Sequence, residues 1–310
     1  MSAARRVPLV LVLAVCAIST GAPFARWAQP APALAISVLR VGFAAVMLFA
    51  AGWRDLPSLA KLARRDWWFI GLAGALLALH FGAWIASLAL TSTAASVALV
   101  STTPIFAALF GAVIGDRVVA RELAGIAIAT AGCVVLAGGD WSAGGDALTG
   151  DGLALVGAMT ATAYLAVGRR LRAALPLLPY LGAVNAIAAI ALVIAAVAEH
   201  APLVGLPAQS YVACACAALV ASVGGHSLLN AAVRVAPTHL VALAILGEPI
   251  GSSLIAWVAF GERPPLHAVI GGAIVLAGIA FGFVRRQTDT TEPVRARARF
   301  TSGQRSKPSR

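Results

Sequence analysis

Charge is what this chain has least of. Only 11% of its 310 residues are Asp, Glu, Lys or Arg, against 60% hydrophobic, and mean hydropathy is +0.90. A soluble domain of this length carries about a quarter of its residues as charges, so a water-soluble globular fold is excluded and the apolar excess must face lipid. Sustained apolar–polar alternation is missing as well, which argues against a β-barrel. Catalytic signatures are absent. There is no Ser/His/Asp order with supporting context, no His-Glu-x-x-His and no phosphate-binding loop, so no enzyme is expected and ATP is not an energy source on this chain. Cysteine is scarce: Cys16, Cys133, Cys214 and Cys216 all lie in apolar runs without ligand spacing. Cys214 and Cys216 project from different faces of a helix, so neither a disulfide nor a metal site is expected, and no cofactor is implied.

What the chain has is long apolar runs. A spanning helix needs ~20 mostly apolar residues, and ten runs qualify, near 7–25, 33–53, 67–88, 93–115, 121–138, 152–170, 176–197, 209–230, 237–260 and 265–284. The run Gly152–Val167 is rich in Ala and Gly, as suits helices packed closely in a membrane. Met1–Ala25 has the basic start and apolar run of a signal peptide, but no clean cleavage site follows, and it is read as a retained first span. Five of the seven tryptophans (Trp27, Trp53, Trp67, Trp68, Trp141) fall at or near span ends, where interfacial anchors sit.

The bases set the orientation. With the N-terminus inside, Arg5, Arg6, Arg54, Lys61, Arg64, Arg65, Arg117, Arg121, Arg169, Arg170, Arg172 and Arg234 are cytoplasmic, and only Arg26 and Arg263 fall outside. Eight of the 23 bases lie in the tail 285–310, whose only acids are Asp289 and Glu292. That tail is polar enough to read as disordered and lying near anionic headgroups. The net charge of +11 therefore does not signal nucleic-acid binding, because no folded domain accompanies the tail.

The chain also repeats itself. Shifted by 146, Gly115, Arg117, Gly125, Ala127, Ile128, Ala131 and Gly132 fall on Gly261, Arg263, Gly271, Ala273, Ile274, Ala277 and Gly278. Asp116 meets Glu262 and His80 meets His226, while a shift of 145 brings Pro104 onto Pro249. A unit with an odd number of spans, used twice, lies in the membrane in opposite senses. The expected fold is all-α and integral to the membrane: ten transmembrane helices as two inverted five-helix repeats. The repeats are placed at 1–138 and 152–284, with an extracytoplasmic linker at 139–151 and the basic tail at 285–310.

The strings His80-Phe81-Gly82-Ala83-Trp84, Ser101-Thr102-Thr103-Pro104-Ile105-Phe106-Ala107 and Leu246-Gly247-Glu248-Pro249-Ile250, followed by Phe260-Gly261-Glu262, resemble the drug/metabolite transporter superfamily in its EamA-domain branch. The resemblance runs to about Val284. It implies ten helices, alternating access, and export or exchange of small metabolites. Members handle amino acids, nucleotide precursors, sugars and drugs, so it supplies no substrate. Asp116 departs from the pattern, where Glu is commoner.

A charge at the bilayer centre costs about 2.5–3.5 kcal/mol on insertion scales, and two are placed there: Arg40 midway along the second span and Glu248 midway along the ninth. Arg40 is a candidate anchor for a substrate carboxylate or phosphate, and Glu248 a protonatable coupling site; the alternative is a structural ion pair between them. A free imidazole titrates near neutral pH, so His80 and His226 are candidates for a proton relay or a substrate contact, the alternative being neutral residues bonded to backbone carbonyls. Trp84 and Asn230 share helix faces with them at i+4. Pro104 and Pro249 interrupt the fourth and ninth spans as hinges, cavity liners or fixed kinks, with Thr103 and Ser252 beside them. Gly111/Gly115 and Gly278/Gly282 read as packing pairs; the oligomeric state stays open, a homodimer included.

The expected function is a secondary transporter, exporter or exchanger, of a small metabolite or drug-like molecule, with proton coupling through Glu248 as an option. The alternative is a non-transporting receptor or assembly protein acting through its tail. The expected location is the plasma membrane, a bacterial inner membrane, crossed many times with both termini cytoplasmic. Its partners are a small-molecule substrate and the lipid bilayer.

Overall fold

A computed structural model describes residues 3–91, 96, 99–114, 118–136, 145–171, 175–261 and 263–283. Gly115, Asp116, Arg117, Trp141, Glu262 and the tail 285–310 lie outside them.

Every described element is helical. In order they are α1 (Ala3–Ile18), α2 (Gly21–Trp27), α3 (Ala33–Ala51), a 3-10 segment (Trp53–Lys61), α4 (Arg64–Leu90), α5 (Thr103–Ile114), α6 (Ala120–Leu136) and α7 (Gly145–Leu171). There follow α8 (Leu177–Ala198), α9 (Ala208–Cys216), a π-helical segment (Ala217–His226), α10 (Ser227–Ala232), α11 (Thr238–Ile245), α12 (Glu248–Phe260) and α13 (Leu266–Phe283). Among the described residues, eight stretches are long and apolar enough to cross a membrane: Val7–Trp27, Ala33–Ala51, Arg64–Leu90, Gly145–Gly168, Leu177–Ala198, Ala208–Ala232, Thr238–Phe260 and Leu266–Phe283. Among the described residues, α5 and α6, within the predicted fourth and fifth spans, have 12 and 17 residues.

Large apolar side chains point outward along these helices. Ile194 is 65% exposed and Val258 86%, which only a lipid environment makes favourable over so many positions. The protein is a multi-pass membrane protein.

Three local features differ from the sequence reading. First, α7 starts at Gly145, inside the stretch read as a linker; Asp146 sits in its first turn, where a carboxylate complements the helix dipole. Second, three spans that read as continuous are interrupted. α1 gives way to α2 at Ser19 and Thr20, α11 to α12 at Leu246 and Gly247, and the eighth span loosens into ten residues of π-helix. Third, the prolines do not sit within an unbroken ladder. Pro104 and Pro249 each take the second position of a new helix, where the missing N–H costs nothing.

The repeat is visible in the packing. A Cβ on Gly125 would lie 2.7 Å from Gly282 Cα, and one on Gly132 would lie 2.6 Å from Val275 N. Shift both pairs by 146 in either direction and their images appear: Gly271 against Leu136, and Gly278 with a Cβ 2.5 Å from Ala129 N. Contacts between 125 and 282, 129 and 278, and 132 and 275 advance in opposite directions, so α6 and α13 run antiparallel, backbone against backbone. α3 and α8 also run antiparallel, here glycine against side chain: Gly52 abuts Leu178 and Gly182 abuts the Phe49 ring. Both pairs join equivalent helices of the two repeats.

Candidate functional site

A cavity of about 70 Å³, room for a handful of water-sized molecules, lies between the repeats. Its walls come from the end of α1, α3, α4, α5 and the stretch before it, α7, the π-helical segment, α10, and the α11–α12 break.

Arg40 enters from α3 and is 2% exposed. Its Nε donates to Ser222 Oγ at 3.1 Å, and its guanidinium carbon stands 4.5 Å from the centre of the Phe81 ring. Gly21 leaves the space its far end occupies, since a Cβ there would be 3.4 Å from both Nη atoms. Nη1 is buried and has no hydrogen-bond partner. Ser222 and His226 both lie on the π-helical segment, whose hydrogen bonds span one residue more than an α-helix's. Gly225 lets that segment lie against α1, where a Cβ would be 2.6 Å from Ile18 Cγ2.

α4 presents His80, Phe81 and Trp84 on one side. His80 Nδ1 lies 2.9 Å from the Gly157 carbonyl oxygen. A carbonyl only accepts, so Nδ1 carries a proton, and in the neutral ring Nε2 is then the acceptor. The planes of His80 and Trp84 are 3° apart with centroids at 6.2 Å, and Phe81 meets His226 edge-on at 5.8 Å. The indole Nε1 of Trp84, a residue 5% exposed, is buried without a partner.

Thr103 and Glu248 are equivalent at a shift of 145, and each opens the helix that follows a break. Both line the cavity. Thr103 Oγ1 donates back to Val100 O at 2.6 Å, whereas Glu248 sends a carboxylate from the same place. Around it α1 is stitched to α12: Ser19 Oγ donates to Val15 O and Glu248 O, and Ser252 Oγ donates to Ser19 O at 2.9 Å. Among the described residues no ion pair within 4.0 Å joins Arg40 to Glu248.

Of the residues singled out in the sequence, Arg40, His80, Trp84, Thr103, His226 and Glu248 line the cavity. Asn230 does not. It is fully buried, and its Nδ2 donates to Tyr164 Oη at 3.0 Å and His226 O at 2.7 Å, so it supports two lining residues. Pro104, Pro249 and Ser252 shape the breaks without facing the space. Sequence reasoning missed Ser222 and Phe81; a serine in an apolar helix carries no pairing signal until the fold supplies its guanidinium.

Apart from this cavity, His239 in the first turn of α11 is 1% exposed, and its Nε2 lies 3.1 Å from Glu122 Oε2 in the first turn of α6. Glu122 Oε2 also accepts from Val119 N at 3.0 Å. The sequence reading overlooked this pair.

The model of the EamA-like transporter family matches the chain twice, over residues 6–138 and 148–284. No curated relative matches it by sequence. A crystal structure described only as that of a protein superposes with a TM-score of 0.78 at 20% identity, covering 90% of this chain and 96% of its own, which is a likeness of fold.

Proposed function

Because the chain belongs to the EamA-like transporter family, we propose that it is a secondary transporter of a small metabolite or drug-like molecule. In this reading the chain crosses the bilayer ten times as two inverted five-helix repeats, broadly 1–138 and 152–284. It works by alternating access and exports or exchanges its substrate. It resides in a bacterial inner membrane with both termini and the basic tail in the cytoplasm.

The observation that carries the reading is the cavity itself. Elements of both repeats wall it, helices broken at equivalent points (before Thr103 and before Glu248) reach it, and charges unique to one half stand in it. Irregular backbone at membrane depth is tolerated where it lines such a space. The antiparallel seams α6–α13 and α3–α8 let the halves rock about a shared centre without opening the fold.

Within this scheme Arg40 and Glu248 contact substrate, His80 offers its free Nε2, and Trp84 and Phe81 supply the apolar wall. Glu248, as the protonatable group at the break, is the coupling site: it takes a proton on the acidic side and releases it on the other. Untargeted metabolite profiling of overexpressing against deleted cells identifies a solute. With that solute in proteoliposomes, the wild-type chain drives transport under a pH gradient and Glu248→Gln does not. Unchanged pH-driven transport by Glu248→Gln contradicts the coupling role.

A further inference from the structure

The corner between α3 and α4 carries a set of side chains that the cavity leaves unused. Its 3-10 segment, Trp53–Lys61, brings every third residue to the same face, so Trp53, Leu56, Leu59 and the following Leu62 stack into one stripe. The three leucines are half-buried, whereas Trp53 at the end of the stripe is 63% exposed. Arg54 and Lys61 stand on the other two faces. α4 then opens with Arg64 and Arg65, followed by Trp67 and Trp68, the latter also 63% exposed. Arg54, Lys61, Arg64 and Arg65 are all exposed, and among the described residues none has a carboxylate within 4.0 Å. Of the two acids in the corner, Asp66 is committed elsewhere: it accepts from Ala63 N at 3.1 Å and caps α4. Two guanidiniums lie along aromatic rings instead. The guanidinium carbon of Arg54 is 5.2 Å from the centre of the Trp53 ring, and that of Arg65 is 5.8 Å from the centre of Phe69. Stacking of this kind uses the face of the guanidinium and leaves its N–H edge to donate.

We propose that this corner binds the phosphate headgroup of an anionic phospholipid. The phosphate oxygens accept from the exposed bases, and a guanidinium edge matches them with two parallel bonds. Four bases against two acids favour an anionic over a zwitterionic headgroup. Both flanking helices are long and apolar enough to cross the membrane, so the corner that joins them lies at headgroup depth. There Trp53 and Trp68 sit as interfacial aromatics do, and the leucine stripe holds the segment down as in an amphipathic interfacial helix. A lipid also brings acyl chains that the bilayer already holds, whereas a soluble anion has only the bases to fix it. Gly52, which leads from α3 into the segment, abuts Leu178 and Pro179 at the start of α8. A headgroup held by Arg54 together with Arg64 and Arg65 clamps the adjoining ends of α3 and α4 beside α8. These two helices carry Arg40 and His80, so the lipid steadies walls of the cavity from outside it.

The test uses the full-length chain, purified in detergent and stripped of lipid. It is mixed with equal amounts of dioleoyl phosphatidylglycerol and dioleoyl phosphatidylcholine, and native mass spectrometry counts the lipids retained. The wild type is expected to keep the anionic lipid over the zwitterionic one by about five-fold or more, and to unfold at a higher temperature with it. The combined substitutions Arg54→Gln, Lys61→Gln, Arg64→Gln and Arg65→Gln abolish the preference and the added stability. A control with Arg295→Gln, Arg297→Gln, Arg299→Gln and Arg305→Gln removes the same number of charges from the tail and leaves both in place. A corner variant that keeps the wild-type preference overturns the proposal, and so does a tail variant that loses as much as the corner variant. sn-Glycerol 3-phosphate supplies the phosphate without acyl chains. Stabilisation by it equal to that by phosphatidylglycerol marks a soluble-anion site and overturns the proposal as well. Should the fourfold corner variant fail to fold, Arg54→Gln with Arg65→Gln is measured instead, and an unchanged preference there counts against the site. None of these measurements depends on transport, so their outcome leaves the transport reading to its own test.

Discussion

The imidazole of His80 is held by its Nδ1–H, which donates to the carbonyl oxygen of Gly157 at 2.9 Å and ties α4 to α7. The bond fixes the tautomer of the neutral ring and leaves Nε2 as its acceptor. Nitrogen-15 NMR of histidine-labelled protein near neutral pH is expected to show His80 as the Nδ1–H tautomer, with the assignment made by loss of the signal in His80→Gln. An Nε2–H tautomer at this position would remove the basis for a free acceptor.

The glycine seam between α6 and α13 is a second point of attack. Gly278→Ala places a Cβ 2.5 Å from Ala129 N, and this is backbone that has no rotamer to change. Overpacking of this kind costs about 1–3 kcal/mol. A Cβ on Gly71, in α4, would meet nothing within 4 Å, and Ala there is neutral or stabilising by up to about 1 kcal/mol. Thermal unfolding in detergent should separate the two substitutions by several degrees, with Gly278→Ala the less stable.

Glu122 and His239 make the third case. Glu122→Ala leaves the ring of His239 buried without a partner, at a cost of about 1–3 kcal/mol, while Glu122→Gln keeps an acceptor in reach and costs less. The double-mutant cycle with His239→Ala should return a coupling of about 0.5–3 kcal/mol. A coupling near zero would mean that the contact at 3.1 Å contributes nothing to stability.

Arg40 supplies the fourth. Ser222→Ala removes the acceptor of its Nε and leaves a second buried N–H unsatisfied. The expected outcome is a loss of about 1–3 kcal/mol in stability together with weaker substrate binding. Ser222→Thr, which keeps the hydroxyl, restores more of both than Ser222→Ala. Equal behaviour of the two variants contradicts a role for the hydrogen bond.

Much of this arrangement is legible in the sequence for physical reasons. Glycines that admit backbone contact cannot drift without breaking a seam, so Gly125, Gly132, Gly271 and Gly278 still carry the duplication. Ionised side chains are expensive in a bilayer, so Arg40 and Glu248 stand out from the apolar runs that hold them. Ser222, Phe81 and Tyr164 are less conspicuous, because serine and aromatics are cheap in a membrane helix and gain meaning only from what they face. The π-helical segment is invisible to composition, since widening the hydrogen-bond ladder by one residue needs no special side chain. Asn230 is legible as a buried polar residue but not as a support, because helical spacing gives its face and not its partner. The start of α7 is hard to place because Gly145 and Gly150 read as loop, while the dipole favour to Asp146 and the Thr91 hydroxyl bonded to Asp151 at 2.8 Å hold the turn in helix.

In the proposed alternating access, the cavity between the repeats opens in turn to each side of the membrane. Ala161 lines it and makes no polar contact there that a substitution would remove. Ala161→Cys is placed in a background whose four native cysteines are replaced, and a membrane-impermeant thiol reagent is applied separately to each face of oriented vesicles. Alternating access predicts labelling from both faces, slowed from either by saturating substrate. Labelling from one face only, whatever the substrate or pH gradient, would contradict it.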